Sequence, residues 1–436
     1  MTKKRIIRIL KWFFGIVIGI VLLITGGLYY FKDEIIGMVL DEVNAHLKAK
    51  VQVEHVDIAF WSSFPNLSVD FDHVFIQDTY EYATSKDTLF YSDKIRLRFN
   101  PMDIWREEYR LKRSDNDPGT LQLKVDDNGM PNYDILKETS DNTETEFEFD
   151  LQKVNIDNLR FSYTNRQINH RYATDLVTTE LEGKFAEKVF TLHAKCSQVV
   201  RETRSGRVNF VSDKAVDLDI NLAIDQNKGT LDIPLTTIYI AKLPFQFSGF
   251  LSPDNMKFSI EAKKLALTDV ANNFSMKEVE HVKKYSGTGA VNFHLLIEDN
   301  RTDNIPVAVD CEFGVNNGKL IEPTQNIQIS GLRLDGKYTN NKGKGNEYLL
   351  LNNIHFQTKT GPFQGNLKVS EFNAPRFEGH ANGNLDLAAV HLLFPVPTVD
   401  KLGGNLVVNT TFNVQSLPKE NGKTAYHILQ CEGGVE

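Results

Sequence analysis

The sequence predicts a mostly β protein: an N-terminal transmembrane helix followed by an elongated, curved antiparallel β-sheet, groove-like or taco-like, with a few short helices. Three observations predict it. Trp12 to Phe31 is twenty residues without a charge. Period-two alternation of apolar and polar residues runs through most of the rest. Loops rich in Gly, Asn and Asp separate the alternating segments, and helical periodicity is scarce.

The uncharged stretch WFFGIVIGIVLLITGGLYYF would form about 30 Å of helix, the thickness of a bilayer core. Lys3, Lys4, Arg5, Arg8 and Lys11 precede it, whereas Lys32, Asp33 and Glu34 follow, so the positive-inside bias places the first residues in the cytoplasm and the bulk of the chain across the membrane. Trp12 and Phe13 at one end and Tyr29, Tyr30 and Phe31 at the other suit the headgroup level, and Leu22 and Leu23 fall mid-span. Gly15 and Gly19 have GxxxG spacing, which a Gly-rich span also produces by chance. The run is too long for a cleaved signal peptide and lacks an A-x-A-like site.

Residues 32–50 follow with Ile35, Ile36, Val39, Leu40, Val43 and Leu47 at amphipathic-helix spacing. From Val51 the period becomes two, with a phase slip between Val53 and Val56 that predicts a bulge or bend. The strand grammar recurs at Leu67, Val69, Phe71; at Ile95, Leu97, Phe99; at Leu121, Leu123, Val125; and at Leu159, Phe161, Tyr163. Its cleanest run is Val216, Leu218, Ile220, Leu222 and Ile224, interleaved with Asp217, Asp219, Asn221 and Ala223. Such alternation leaves one face wetted, which favours antiparallel hairpins over a doubly covered parallel sheet. Turns are predicted at 126–129, 225–229, 340–346 and 418–422, and a polar loop at 137–145.

Short helices are predicted at 101–109, 132–138, 268–285 and 388–393. Two segments share an order of features: an L-x-L pair (Leu265 and Leu267; Leu385 and Leu387), a helical stretch, then a Gly-opened strand (Gly287 onward; Gly403 onward). The 120-residue offset predicts an internal duplication. The expected organisation is a cytoplasmic basic segment 1–11, the span 12–31, an amphipathic helix 32–50, a first β module 51–139, and a repeating β-groove region 140–436 that stops short of a terminal cap.

A net charge of −8 without a basic patch argues against a nucleic-acid partner. Cys196, Cys311 and Cys431 lie too far apart for a metal motif or disulfide framework and are expected as buried free thiols. No P-loop, HExxH or GxSxG is present; Gly287-Thr-Gly lacks its third glycine, and the Gly343–Gly345 string reads as a turn. Glu278, Glu280 and His281 come closest to a titratable cluster, beside Lys283 and Lys284, which reads as a solvated helix face. No catalytic residue, metal ligand or cofactor site is nominated, and the protein is read as a non-enzyme.

The first 140 residues carry a series of short motifs in order: Phe64-Pro65-Asn66-Leu67-Ser68-Val69, Asp87-Thr88-Leu89, Ile95 to Ile104, and Asp126-Asp-Asn-Gly129-Met-Pro-Asn132-Tyr133-Asp-Ile135. Together with the anchor they resemble the AsmA-like family of Gram-negative envelope proteins, part of the repeating β-groove superfamily related to TamB-like and bridge-like lipid-transfer proteins. The resemblance implies a single-pass protein of the bacterial inner membrane, its bulk periplasmic, with phospholipids as cargo and a role in outer-membrane assembly and envelope lipid homeostasis. Independently, an open sheet with one apolar face must cover it with helices, a second sheet or a ligand, and acyl chains are a suitable ligand. Leu218, Ile220, Leu222 and Ile224 are the groove-lining candidates. The alternative is a scaffold that binds outer-membrane assembly proteins through sheet edges without carrying lipid.

Overall fold

The computed structural model describes residues 47–49, 51–59, 63–80, 87–100, 102, 111–135, 152–185, 187–205, 208–274, 285–300, 307–323, 326–340, 347–393, 402–418 and 424–435. The span 12–31, most of the amphipathic segment 32–50, all but Met102 of the helix expected at 101–109, and the loop at 137–145 lie outside these residues. So do most of the turns expected at 340–346 and 418–422. The chain divides into two compact units, Met1–Lys214 and Ala215–Glu436.

The first unit holds β1 (Val51–Gln52), β2 (His55–Ala59), β3 (Leu67–Gln77), β4 (Thr88–Phe99), β5 (Leu111–Asn116), β6 (Gly119–Val125), β7 (Lys153–Asn165), β8 (His170–Glu182), β9 (Val189–Ser205) and β10 (Val208–Val211). β1 and β2 pair with successive stretches of β3, and the offset between them falls at His73, whose φ is 53°. The phase slip in the sequence is this bend. Val69, Phe71, Val74 and Phe99 form the core on one face, with Val56, Ile58, Ile95 and Leu97 packed against them. The opposite face is a charge ladder. Lys94 meets Asp72 at 2.9 Å, Arg96 meets Asp117 at 2.6 Å and Arg98 meets Asp115 at 3.0 Å, the opposite-charge pairing that stabilises neighbouring strands.

Two features depart from a meander of antiparallel hairpins. β5 and β6 are one strand interrupted at Asp117-Pro118: both pair antiparallel with β4 and parallel with β7. A parallel neighbour requires the chain to travel back along the sheet before re-entering it. Residues 126–152 make that return, so the Asp126–Gly129 turn does not close a hairpin. The helix expected from Asn132 is also absent from the described part of that segment. Pro131 bridges back to Val125, and residues 132–133 form a turn, because the Asn132 side chain is committed to the edge of β6.

Among the described residues the strands of the second unit pair antiparallel: β11 (Lys214–Asp225), β12 (Thr230–Ile240), β13 (Leu243–Leu251), β14 (Asn255–Ala266), β15 (Ser286–Asn300), β16 (Ala308–Glu322), β17 (Ile327–Thr339), β18 (Tyr348–Thr358), β19 (Gly361–Ser370), β20 (Arg376–Asp386), β21 (Asn405–Pro418) and β22 (Thr424–Val435). Each strand pairs with the next. Asp225–Gly229 closes the β11–β12 hairpin as the sequence predicts, with Gly229 at φ 63°.

Two seven-residue helices, α1 (Leu267–Asn273) and α2 (Leu387–Leu393), follow β14 and β20. In each L-x-L pair the first leucine lies in the last turn of the strand and the second opens the helix. The duplicated motif therefore marks duplicated positions in the fold. Asp386 caps α2, its Oδ1 accepting from the Ala388 and Ala389 amides at 3.0 and 3.3 Å, whereas α1 has no side-chain cap. α1 is described only to Asn273, with 275–284 outside the description, so Glu278, Glu280 and His281 receive no placement.

Candidate functional site

The second unit is amphipathic across its whole width. One registered row runs Ala262, Phe293, Phe313, Gly336, Leu351, Leu367, Gly379, Phe412 and Cys431, each the cross-strand partner of the next from β14 to β22. A second row beside it runs Ile260, Leu295, Cys311, Tyr338, Leu349, Val369, Phe377, Val414 and Ile428 through the same strands. At about 4.8 Å per strand, eight steps make an apolar strip about 40 Å long. On the reverse face stand Asn292, Glu312, Lys337, Lys368 and Glu378, joined by pairs such as Lys337 Nζ to Glu312 Oε1 at 2.8 Å.

Aromatic rings lie over glycines on the apolar face. A Cβ at Gly249 would come within 2.5 Å of Phe258, one at Gly336 within 2.3 Å of Phe313, and one at Gly379 within 2.9 Å of Phe412. Each ring covers the backbone of its cross-strand glycine, which shields the ladder and keeps the strip low in relief. Phe245 and Phe293 meet edge to face with centroids 6.0 Å apart, and Phe247 stacks on Phe258 at 6.1 Å.

The helices close one end of this face. Leu267 of α1 rests over Gly318 of β16, where a Cβ would lie 2.7 Å from its Cδ2. α2 leaves β20 and packs against both β20 and β17, three strand positions back, so it lies across the strands between them. Ala389 is 1 % exposed at the centre of a cluster containing Leu320, Ile329, Leu332, Phe356, Phe363 and Val408. The apolar face thus carries a protein plug at the helical end. Burial pushes the Cys311 thiol up to about 11, with the Glu312 charge adding to it, and pushes the Tyr338 phenol up to about 12, helped by Glu347.

The four sequence candidates stand together on one face of β11. Ile220 is 7 % exposed, Leu218, Leu222 and Ile224 are half-buried, and the intervening Asp217, Asp219, Asn221 and Ala223 are exposed. Ile224 faces Leu231 across the β11–β12 pair, and Val216 faces Ile240. The two long rows in β14–β22 were not among the candidates. Alternation marks them at Val291-x-Phe293-x-Leu295-x-Ile297 and Val309-x-Cys311-x-Phe313-x-Val315, but the aromatic-on-glycine pairs depend on register. The anchor candidates Trp12, Phe13, Gly15, Gly19, Leu22, Leu23, Tyr29, Tyr30 and Phe31 lie outside the described residues.

The cysteines depart from expectation. Cys196 is buried and Cys311 half-buried, but Cys431 is exposed; all three are free thiols. Cys431 sits on β22, paired across to Phe412 of β21. Among the described residues no group of three or more His, Cys, Asp or Glu could hold a metal ion, and no helix is long and apolar enough to cross a membrane.

The family-like motif Asp126 to Ile135 has an architectural use. Asp126 Oδ1 accepts from the Asn128 and Met130 amides at 2.9 and 2.8 Å, and Gly129 takes φ 83°. Asn132 is fully buried; its Oδ1 accepts from the Lys124 amide at 2.7 Å, while its Nδ2 donates to Gln122 O at 3.0 Å and Asp78 Oδ2 at 3.2 Å. Lys124 Nζ reaches the same Asp78 oxygen at 2.7 Å. The segment after the expected amphipathic helix is tied here too: the Lys48 amide donates to Ile135 O at 2.7 Å, and Lys48 Nζ meets Asp134 at 2.8 Å.

The fold defines a class, a mostly β protein whose second unit is an antiparallel sheet with one apolar face and two short helices among the described residues. No protein-family model, curated protein or solved structure matches the chain.

Proposed function

We propose that this is an AsmA-like, inner-membrane-anchored periplasmic protein whose second unit carries phospholipid acyl chains along the apolar trough, in the service of outer-membrane assembly and envelope lipid homeostasis. The observation that carries this reading is the pair of apolar rows crossing nine strands, with two seven-residue helices among the described residues to cover them. Each methylene moved from water into such a trough contributes about 0.8 kcal/mol, so part of one chain suffices for retention. Non-directional contact also lets a chain slide, which accords with a strip of flat rings and few polar atoms. The Lys48 amide, just before β1, is tied to Ile135 of the first β module, which supports an arrangement in which an anchor at 12–31 holds this module near the bilayer surface.

Site-specific photocrosslinking in the full chain tests the proposal. A photoreactive residue at Leu351 is expected to yield phospholipid adducts by mass spectrometry, and one at Asn366, on the reverse face, is not. Equal adduct yields at the two positions, or none at Leu351, would sink it. Anchor-bound lipid does not confuse the result, because both probes share the same anchor.

The scaffold reading is favoured by a different observation. On β22 Tyr426 and Ile428 are exposed, Ile428 at 63 % although it continues the second apolar row. A strand added to this edge would cover both. Under that reading crosslinks from Tyr426 capture one defined envelope protein, and Leu351 captures no lipid.

A further inference from the structure

We propose that the polar face of β15–β20 carries a binding site for an acidic saccharide, a polyhydroxylated ligand bearing a carboxylate or phosphate. This site is separate from the apolar trough and lies on the reverse side of the same strands. It is an open depression of about 870 Å³, within the range of small-molecule clefts, roughly 300–1,000 Å³.

The depression follows from backbone irregularities that sequence alternation does not produce. Pairing shifts register between Val315 and Gly318 on β16, between Arg333 and Asp335 on β17, and between Leu351 and Ile354 on β18. Asn317 and Asn353 take φ 51° at two of these steps. Aligned bulges bend strands and re-aim side chains, and here three adjacent strands bend at one level. Gly314 deepens the result. It is the register partner of Asn292 on one side and Asp335 on the other, so a slot about 10 Å wide separates their strands without a side chain between them. A Cβ there would project to 3.0 Å from Leu334 O and 3.4 Å from Asp335 Oδ1.

The chemistry of the lining selects the ligand. Asn352 and Gln364 offer both donors and acceptors, which match hydroxyl groups, and Asn292 and Asn366, whose Oδ1 atoms already accept from the Lys264 and His380 amides at 3.1 and 3.0 Å, add Nδ2 donors; the apolar members, Val315 and Ile354, turn their side chains to the opposite face, into the plug. A lipid or a flat aromatic ligand would find no apolar side chain to rest on. The charge is uneven. Of the two arginines described in this unit, Arg376 meets Glu378 at 3.1 Å, whereas Arg333 makes no ion pair or hydrogen bond among the described residues. Asp335, the one acid in the depression, has its Oδ2 engaged by Asn353 Nδ2 at 2.6 Å. His355, the register partner of Arg333, and His380 add ring N–H donors. A planar fork with free donors beside amides and imidazoles suits an oxyanion on a hydroxylated frame.

The experiment is calorimetric titration of the full chain in detergent with four probes: trigalacturonate, mannose 6-phosphate, maltotriose and inorganic phosphate. Binding of trigalacturonate identifies a carboxylate sugar and binding of mannose 6-phosphate a phosphate sugar; either supports the proposal when maltotriose binds at least tenfold more weakly. Arg333→Ala is expected to weaken the bound probe at least tenfold, and Arg333→Lys to weaken it less. Gly314→Val, which fills the slot, is expected to weaken it with Arg333 intact. Because Arg333 is exposed and has no ion-pair or hydrogen-bond partner among the described residues, the thermal transition of Arg333→Ala should match that of the parent, which separates lost binding from lost folding. Absence of binding by both acidic sugars at millimolar concentration overturns the proposal. So does an unchanged affinity in Arg333→Ala, or inorganic phosphate binding as tightly as mannose 6-phosphate, which would reduce the site to a bare anion contact.

Discussion

The two units use strands of similar length for opposite purposes. In the first, polar groups are drawn inside: Asp78, Lys124 and Asn132 form a buried knot, and cross-strand acids and bases line one face. In the second, polar groups stay on the outer face while apolar rows and glycines continue from strand to strand. A knot of directional bonds tolerates few substitutions and so leaves a motif in the sequence. A strip of non-directional contacts leaves only a period. The recognisable residues of this protein are therefore architectural, and the residues proposed to meet ligand are the anonymous ones.

The sharpest way to break that contrast is Asn132→Leu. It strands the Lys124 amide and removes a partner from the Asp78 carboxylate, whose side chain is 1 % exposed. The expected cost is about 4 kcal/mol, read by denaturant titration with a fluorescent probe in the first unit. A loss below about 1 kcal/mol would mean water replaces the amide and the knot is dispensable.

In the second unit the matching test is Ile329→Ala in the helical plug. Ile329 is 1 % exposed, and the expected cost is about 3 kcal/mol. The change should leave the knot's signal untouched. If it instead releases the first unit, the two are not energetically distinct.

The cysteines sharpen the comparison within the trough. At pH 8 a thiol with its pKa near 11 is about 0.1 % thiolate, so Cys311 should alkylate at least tenfold more slowly than the exposed Cys431. Its rate should climb as pH rises toward 11. Mass mapping of the alkylated peptides reads both, and a fast Cys311 at pH 8 would show the trough to be wet.

The smallest effect belongs to the outer face. Hydrogen bonding to Lys337, with its charge, lowers the Glu312 pKa, and the reciprocal bond raises that of Lys337. Glu312 thus adds stability above its unfolded pKa that disappears as pH falls through the lower folded value. Lys337 adds stability below its unfolded pKa that disappears as pH rises through the higher folded one. Both side chains are largely exposed, so Glu312→Gln should cost less than about 0.5 kcal/mol at neutral pH, and nothing in acid. Melting curves across pH would reveal a larger role if the difference persisted in acid.

Much of this architecture was legible in the chain itself. Alternation at Val216 to Ile224 specified which side chains share a face, because a strand's side-chain period is two wherever it pairs. The Asp225–Gly229 hairpin followed from turn chemistry, and the paired L-x-L motifs marked the two helices because each ends a strand and begins a helix at the same point. Register, parallel entry and curvature were not legible. Whether Gly336 lies under Phe313, whether β7 runs alongside β6, and whether bulges at Asn317 and Asn353 open a cleft depend on neighbours that are distant in sequence. Alternation by itself determined that this protein has an apolar face; only the tertiary pairing decided that two helices plug one end of that face and that a polar depression lies behind it, since a strand's period is local and its partners are not.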